Sequence, residues 1–165
     1  MIVTVDDLCL QHLKNFDLFD EMKVKIPSLQ VMAFTISNFE NKERLAVSTM
    51  FRTWYEKHKS WVVIGVHSYD HLIPDGDRDE ENQISKALTE LKPFLPKRYA
   101  YRSSGYQTTN ETVPILKKLG FSYIYYQTQV KDLTSNKIIE KNIINSHLYD
   151  EASIRRIYEI LCCHN

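Results

Sequence analysis

The residues best placed by type and spacing to do chemistry are two histidines four positions apart, His67 and His71, and two adjacent carboxylates, Asp6 and Asp7. Imidazole nitrogens and a carboxylate oxygen are ligands that zinc accepts, and a catalytic zinc keeps three of them with a place left for water. Four-residue spacing puts both imidazoles on one side of a helical turn, where they reach one ion. Asp7 is the natural third ligand, and Asp6, diverging from it, faces the substrate. Taken alone, two histidines at this spacing are more often surface residues. Here they follow directly on the apolar run Trp61 to Val66, while Asp6-Asp7 ends the run Met1 to Val5. That placement turns the pair into a site.

The elements that must position them alternate along the chain. Val31 to Ile36 is a third apolar run of strand length, and Tyr99 to Tyr101, Tyr123 to Tyr126 and Ile143 to Ile144 are weaker ones. Helical patterns fall between, over Leu13 to Met22, Lys42 to His58 and Asp79 to Lys92, the last ended by Pro93 and preceded by the acidic turn Pro74-Asp75-Gly76-Asp77. Asn110 to Leu119 is capped by Thr109 or Asn110 and closed by Gly120, and Asp150 caps a final helix, Glu151 to Cys162. Such alternation predicts one α/β domain over residues 1–165, a parallel sheet with helices packed outside it. In such folds functional groups collect at the carboxyl ends of strands. Arg102 follows one predicted strand and His147 follows another, so four strand ends carry reactive groups. Asp70 stabilises the turn between the histidines or orients one of them. His12 and His58 sit in helical patterns with no carboxylate partner in view. Tyr99, Tyr101, Tyr123, Tyr125 and Tyr126 read as strand and core material.

Composition narrows the partners. The 165 residues carry 21 basic and 21 acidic side chains, for a formal charge of zero. Lys97-Arg98 and Arg155-Arg156 are too short to form a basic stripe, so nucleic acid is not an expected partner. No apolar stretch approaches the roughly 20 residues of a membrane span. The first residues lack the pattern of a secretion signal, which predicts a cytoplasmic protein. Three cysteines, two of them adjacent at Cys162 and Cys163, do not make a disulfide framework. Cys162, Cys163 and His164 read as the last apolar turn of a helix and its tail rather than as ligands. The sequence does not specify an oligomeric state.

Thr4-Val5-Asp6-Asp7 resembles the Thr-Phe-Asp-Asp opening of the polysaccharide deacetylases, the NodB-homology group of carbohydrate esterases. His67-Ser68-Tyr69-Asp70-His71 matches their His-Ser/Thr-x-x-His motif, and Tyr101-Arg102-Ser103-Ser104-Gly105 with the helix through Phe121 is similar to their Phe-Arg-Pro-Pro segment. His147 stands where their late histidine falls. The resemblance runs in order over nearly the whole chain. It implies a compact, irregular (β/α) barrel, which a chain of this length can build with fewer strands than usual. Its implied activity is metal-dependent hydrolysis of an acyl group, N-acetyl above all, from a sugar or glycan. In that scheme Asp7, His67 and His71 bind one divalent ion, zinc first, with cobalt, nickel or iron also suited to the set. Asp6 is the general base, Arg102 keeps it ionised, and His147 protonates the leaving group. Tyr106, Ser103 and Ser104 line the substrate, Tyr106 offering an aromatic face to a sugar ring. Several positions depart from the family: Leu8 replaces a glycine, Ser103 and Ser104 replace prolines, Gly105 comes one position early, and Asn145 replaces a leucine. The family's tryptophan and aspartate motif has no counterpart in Tyr125 to Asp132. These changes leave the metal set intact and alter the acyl pocket. They open two further readings, a carbohydrate-binding protein that keeps the metal without turnover, and a hydrolase of another amide or ester.

Overall fold

The computed structural model describes residues 2–72 and 79–162. The acidic turn Pro74-Asp75-Gly76-Asp77, Cys163 and His164 lie outside the described residues, as does Met1. Ten strands and five α-helices are described: β1 (Ile2–Leu8), α1 (Asp17–Lys25), β2 (Val31–Ile36), β3 (Asn38–Phe39), β4 (Glu43–Arg44), α2 (Thr49–His58), β5 (Val62–Ser68), α3 (Glu80–Leu91), β6 (Ala100–Tyr101), α4 (Thr112–Lys118), β7 (Tyr123–Tyr125), β8 (Val130–Asp132), β9 (Lys137–Glu140), β10 (Ile143–His147) and α5 (Glu151–Cys162). Eight strands form one sheet in the order β10-β1-β2-β5-β6-β7-β8-β9, curled into a nearly closed barrel. From β10 to β7 the neighbours are parallel, as expected from the alternation, whereas β8 and β9 are added antiparallel. That meander was not predicted. Its strands are three and four residues long and β9 is largely exposed, so no apolar run marks them.

Alternation along the parallel strands sorts side chains into two layers. Val3, Val5, Val31, Ala33, Val62, Ile64 and Val66 face outward into the main core beneath the helices. Phe34, Ala100, Tyr125 and Val130 form a smaller cluster with Ile2, Met32, Tyr123 and Ile143 around it, the filling of the barrel. Burial on both sides explains why β2 reads as one unbroken apolar run. Gly65 on β5 is required by this filling: a Cβ there would stand 2.8 Å from two ring carbons of Phe34.

Several boundaries move for local reasons. The predicted helix Lys42 to His58 is α-helical only from Thr49, after a 3₁₀ turn over Leu45–Val47, because Ser48 Oγ accepts from Phe51 N (3.3 Å) and starts α2 there. The preceding residues form the β3–β4 hairpin, with Glu40 and Asn41 at positive φ. The Leu13 to Met22 region is a 3₁₀ turn, Leu10–Phe16, continued by α1. Asp79 caps α3 by accepting from Asn82 N (3.1 Å), and Asp150 accepts from Ala152 N (3.1 Å) at the start of α5. The helix expected from Asn110 begins at Thr112, and Gly120 follows it at φ +82, the expected left-handed closure.

Candidate metal centre

The first strand does not end at its carboxylates. It runs through them with a register shift between Val5 and Leu8, and Asp7 takes φ +64. In a regular strand neighbours point to opposite faces; this bulge lets both carboxylates reach the mouth of the barrel, at the carboxyl ends of the parallel strands. Asp6 contacts Arg102 and Asp7 contacts the two histidines.

His67 and His71 converge as expected, though not on a helical turn. His67 is still in β5, and the chain then bends, with His71 at φ +61. Ser68 Oγ accepts from His71 N (3.1 Å), and Asp70 Oδ1 accepts from Leu72 N (3.1 Å), so Asp70 shapes the turn. Asn41 holds the other oxygen of Asp70 at 3.0 Å. His67 Nε2 lies 3.4 Å and His71 Nε2 3.2 Å from Asp7 Oδ1. All three ligand atoms fall within 4.8 Å of one another, the one such cluster among the described residues.

The donor set fits a divalent ion. His67 Nδ1 sits 2.9 Å from the carbonyl oxygen of Arg102, which can only accept. One proton is therefore held on Nδ1, and Nε2 is the nitrogen that faces Asp7 and can give up its proton to bind an ion, the tautomer a metal ligand needs. Burial raises the Asp7 pKa, but hydrogen bonds from His147 and His67 outweigh it and hold the carboxyl well below the usual carboxylate range. Burial and the charge of His67 lower His71, favouring its neutral form. Burial also pushes His67 down, yet its bond to Asp7 and the charges of Asp6 and Asp7 leave it raised.

Beside the cluster lies a buried polar knot. Arg102 and Asp6 are both 0% exposed and pair at 2.7 Å through Nη1 and Oδ1. Nη1 is also 2.7 Å from Asn145 Oδ1 and 3.1 Å from Thr4 Oγ1. Its Cζ stands 4.3 Å from the Phe34 ring centre, with Tyr125 and Tyr106 at 5.6 and 5.7 Å. Nε and Nη2 have no hydrogen-bond partner among the described residues, so these ring faces are what the rest of the cation meets. The second oxygen of Asp6 accepts from Tyr106 Oη and from Asn145 Nδ2, each at 2.9 Å. Tyr106 itself is held at φ +58, just after Gly105 at φ +59. Burial and the charge of Asp6 push its phenol up, keeping it a neutral donor.

His147 reaches the site from β10. Its Nδ1 donates to Asp7 Oδ2 at 2.8 Å, and that bond raises its pKa against the opposing effect of burial. Ser103 and Ser104 are buried behind Arg102, and Ser104 Oγ has no partner among the described residues. Asn145 was read only as a departure from the family; its amide joins Asp6, Arg102 and Tyr106. Tyr149, absent from the expected site, lies 5.3 Å from His147 between ring centres. Only its position two residues after His147 could have flagged it. His58, read as lacking a carboxylate partner, has one from a helix distant in sequence: Nε2 is 2.9 Å from Asp20 Oδ1, and Nδ1 donates to Trp54 O.

The fold is a (β/α) barrel of the polysaccharide-deacetylase type. Two solved structures share it, a CE4 family pseudoenzyme from Bacillus anthracis and a polysaccharide deacetylase from Bacillus cereus. The first aligns with a TM-score of 0.59 over 98% of this chain at 11% identity, the second with 0.60 over 93% at 13%. At these identities the likeness is one of fold. The chain spans 59% and 50% of those two proteins. No protein-family model and no curated protein matches the sequence. Among the described residues no helix is long and apolar enough to cross a membrane.

Proposed function

We propose that the chain is a metal-dependent hydrolase that removes an acyl group, N-acetyl first, from a sugar or glycan. The observation that carries this reading is the convergence of Asp7, His67 and His71, with the His67 tautomer fixed by the Arg102 carbonyl. A divalent ion there, zinc or else cobalt, nickel or iron, supplies Lewis acidity and a water of pKa roughly 7. Asp6 takes the proton from the attacking water, and Arg102 pairs with it and orients it. Tyr106 and Asn145 both donate to the Asp6 oxygen that Arg102 does not hold, so the phenol gives way to water or substrate before Asp6 acts. His147 holds Asp7 through Nδ1, leaving Nε2 to protonate the departing amine or alkoxide. Tyr106 borders the substrate, and the buried Ser103 and Ser104 form the turn that carries it.

A second reading is favoured by one feature. Both oxygens of Asp6 are engaged and the residue is fully buried, which suits a carbohydrate-binding protein that keeps the metal without turnover. Turnover of acetylated sugars, with and without a chelator, separates the two. Activity that disappears with chelator excludes the binding-only reading; sugar binding without turnover excludes the hydrolase. In the Asp6→Asn variant, turnover is lost and metal content kept. Loss of metal would mean that the two aspartates have exchanged roles.

A further inference from the structure

Glu80 is a buried carboxylate that the proposed reaction leaves unused. It opens α3 with 7% of its surface exposed, and among the described residues it has no ion pair. Both of its oxygens instead accept from threonine hydroxyls at the start of α4. Thr112 Oγ1 donates to Oε1 at 2.5 Å, and Thr109 Oγ1 donates to Oε2 at 2.7 Å. Thr112 is itself 0% exposed, and its oxygen accepts from Thr109 N at 2.8 Å. Thr109 Oγ1 in turn accepts from Glu111 N at 3.1 Å. A carboxylate taken out of water is costly unless its oxygens are hydrogen-bonded. The two hydroxyls meet that need, and in doing so they join the start of α3 to the start of α4.

What this junction fixes is the far end of a loop that carries a site residue. Residues Arg102 to Thr109 connect β6 to α4. The near end is held by the ion pair of Arg102 with Asp6 and by Arg102 N, which donates to Val66 O at 2.9 Å. Between the ends the chain turns through Gly105 at φ +59 and Tyr106 at φ +58. Tyr106 N donates to Ser103 O (3.1 Å) and Gln107 N to Ser104 O (3.2 Å). A tyrosine keeps a left-handed backbone only where the surrounding structure determines it. Its phenol reaches Asp6 Oδ2 at 2.9 Å. Gln107 and Thr108 are exposed, so the first fixed point beyond the phenol is the pair of threonine bonds to Glu80. Glu80 thus ties the connection after β5, which bears His71, to the connection after β6, which bears Tyr106.

We propose that Glu80 is a positioning residue, whose carboxylate anchors the Arg102–Thr109 loop and so holds the Tyr106 phenol on Asp6. It touches neither metal nor substrate and acts through Tyr106. Its effect on turnover rests on the reading of Asp6 as the base; its hold on the loop does not.

Amide hydrogen exchange of the whole chain, followed residue by residue by NMR, tests this in Glu80→Ala and Glu80→Gln. In Glu80→Ala the Tyr106 and Gln107 amides exchange about tenfold faster or more, as a local opening requires, while those of β1 and β2 keep their rates. Glu80→Gln keeps the parent pattern, since a carboxamide still accepts from Thr112 and can donate to the Thr109 hydroxyl. Thr109→Val, a milder change at an exposed position, speeds the same amides and serves where Glu80→Ala does not fold. Zinc affinity in each variant stays within about twofold of the parent, because no metal ligand is touched. With an N-acetylglucosamine oligomer as the probe substrate, Glu80→Ala lowers kcat/KM by about tenfold, and that loss disappears in a Tyr106→Ala background. Unchanged exchange at Tyr106 and Gln107 in Glu80→Ala and Thr109→Val overturns the anchor. So does acceleration spread equally over β1 and β2, or a loss of turnover that adds to that of Tyr106→Ala. A parent without turnover that shows the exchange pattern keeps the anchor and counts against the hydrolase. Turnover with unchanged Tyr106 exchange does the reverse.

Discussion

Replacing Arg102 by methionine removes the positive partner of a carboxylate that has no access to solvent. Asp6 retains its bonds from Tyr106 and Asn145 but loses its 2.7 Å ion pair. Breaking a buried pair from one side costs about 3–5 kcal/mol, because the remaining charge stays buried without compensation. Methionine still covers Phe34, so little of that cost comes from packing. For a domain of this size each kcal/mol lowers the Tm by about 2–4 °C, giving a fall on the order of 10 °C. Neutralising Asp6 as well, in Asp6→Asn/Arg102→Met, removes the stranded charge. The double variant is therefore expected to be more stable than Arg102→Met alone, with a coupling of about 2 kcal/mol or more in the cycle. Urea denaturation followed by circular dichroism, at unchanged slope, reads all four proteins. A cost below about 1 kcal/mol for Arg102→Met, or additive effects of the two substitutions, would refute the account of the knot as a buried charge pair.

Gly65→Ala is expected to destabilise the protein by about 1–3 kcal/mol, since its Cβ would meet the Phe34 ring at 2.8 Å and the ring is confined by Arg102 above it; an unchanged urea midpoint would show that the barrel filling is loose. Metal affinity is expected to rise with pH near neutrality with a slope close to one proton. Asp7 is held ionised and His71 is lowered, so His67, raised above 6.5, is the ligand that must lose a proton. Calorimetry in buffers of different ionisation enthalpy counts the protons, and a release of two or none at pH 7 contradicts the assignment. The metal-free protein shows the opposite sign. Raised His67 and His147 contribute stability that is full below about 6.5 and lost as pH rises through their folded values, while the contribution of Asp7 is lost only in acid, as pH falls through its lowered value below 3.8. Thermal melts of chelated protein from pH 5 to 8 check the first of these windows.

The parallel strands were legible because a strand covered on both faces must be apolar throughout, as Val31–Ile36 and Val62–Ser68 are until they reach the site. The convergence of Asp7, His67 and His71 was legible because these residues interrupt apolar runs at their carboxyl ends. What the sequence hid depends on contacts between distant segments. The β8–β9 meander is short and exposed, held by pairing rather than by an apolar pattern. Positive φ at Asp7 and His71 replaces the regular strand end and helical turn that local spacing suggested. Asn145 acquires its role only when β10 pairs with β1 in a register that sets it opposite Thr4, beside Asp6. His58 likewise meets Asp20 only through packing of α2 against the segment before it in the fold.

The central claim is that Asp7, His67 and His71 hold one divalent ion, and metal analysis of the purified protein against a His67→Ala/His71→Ala variant tests it most directly. About one equivalent of transition metal per chain is expected, present in the parent and lost in a variant whose circular dichroism spectrum is unchanged. Absence of metal from both proteins, even after incubation with zinc or cobalt, would contradict the account and leave the converging ligands without their ion.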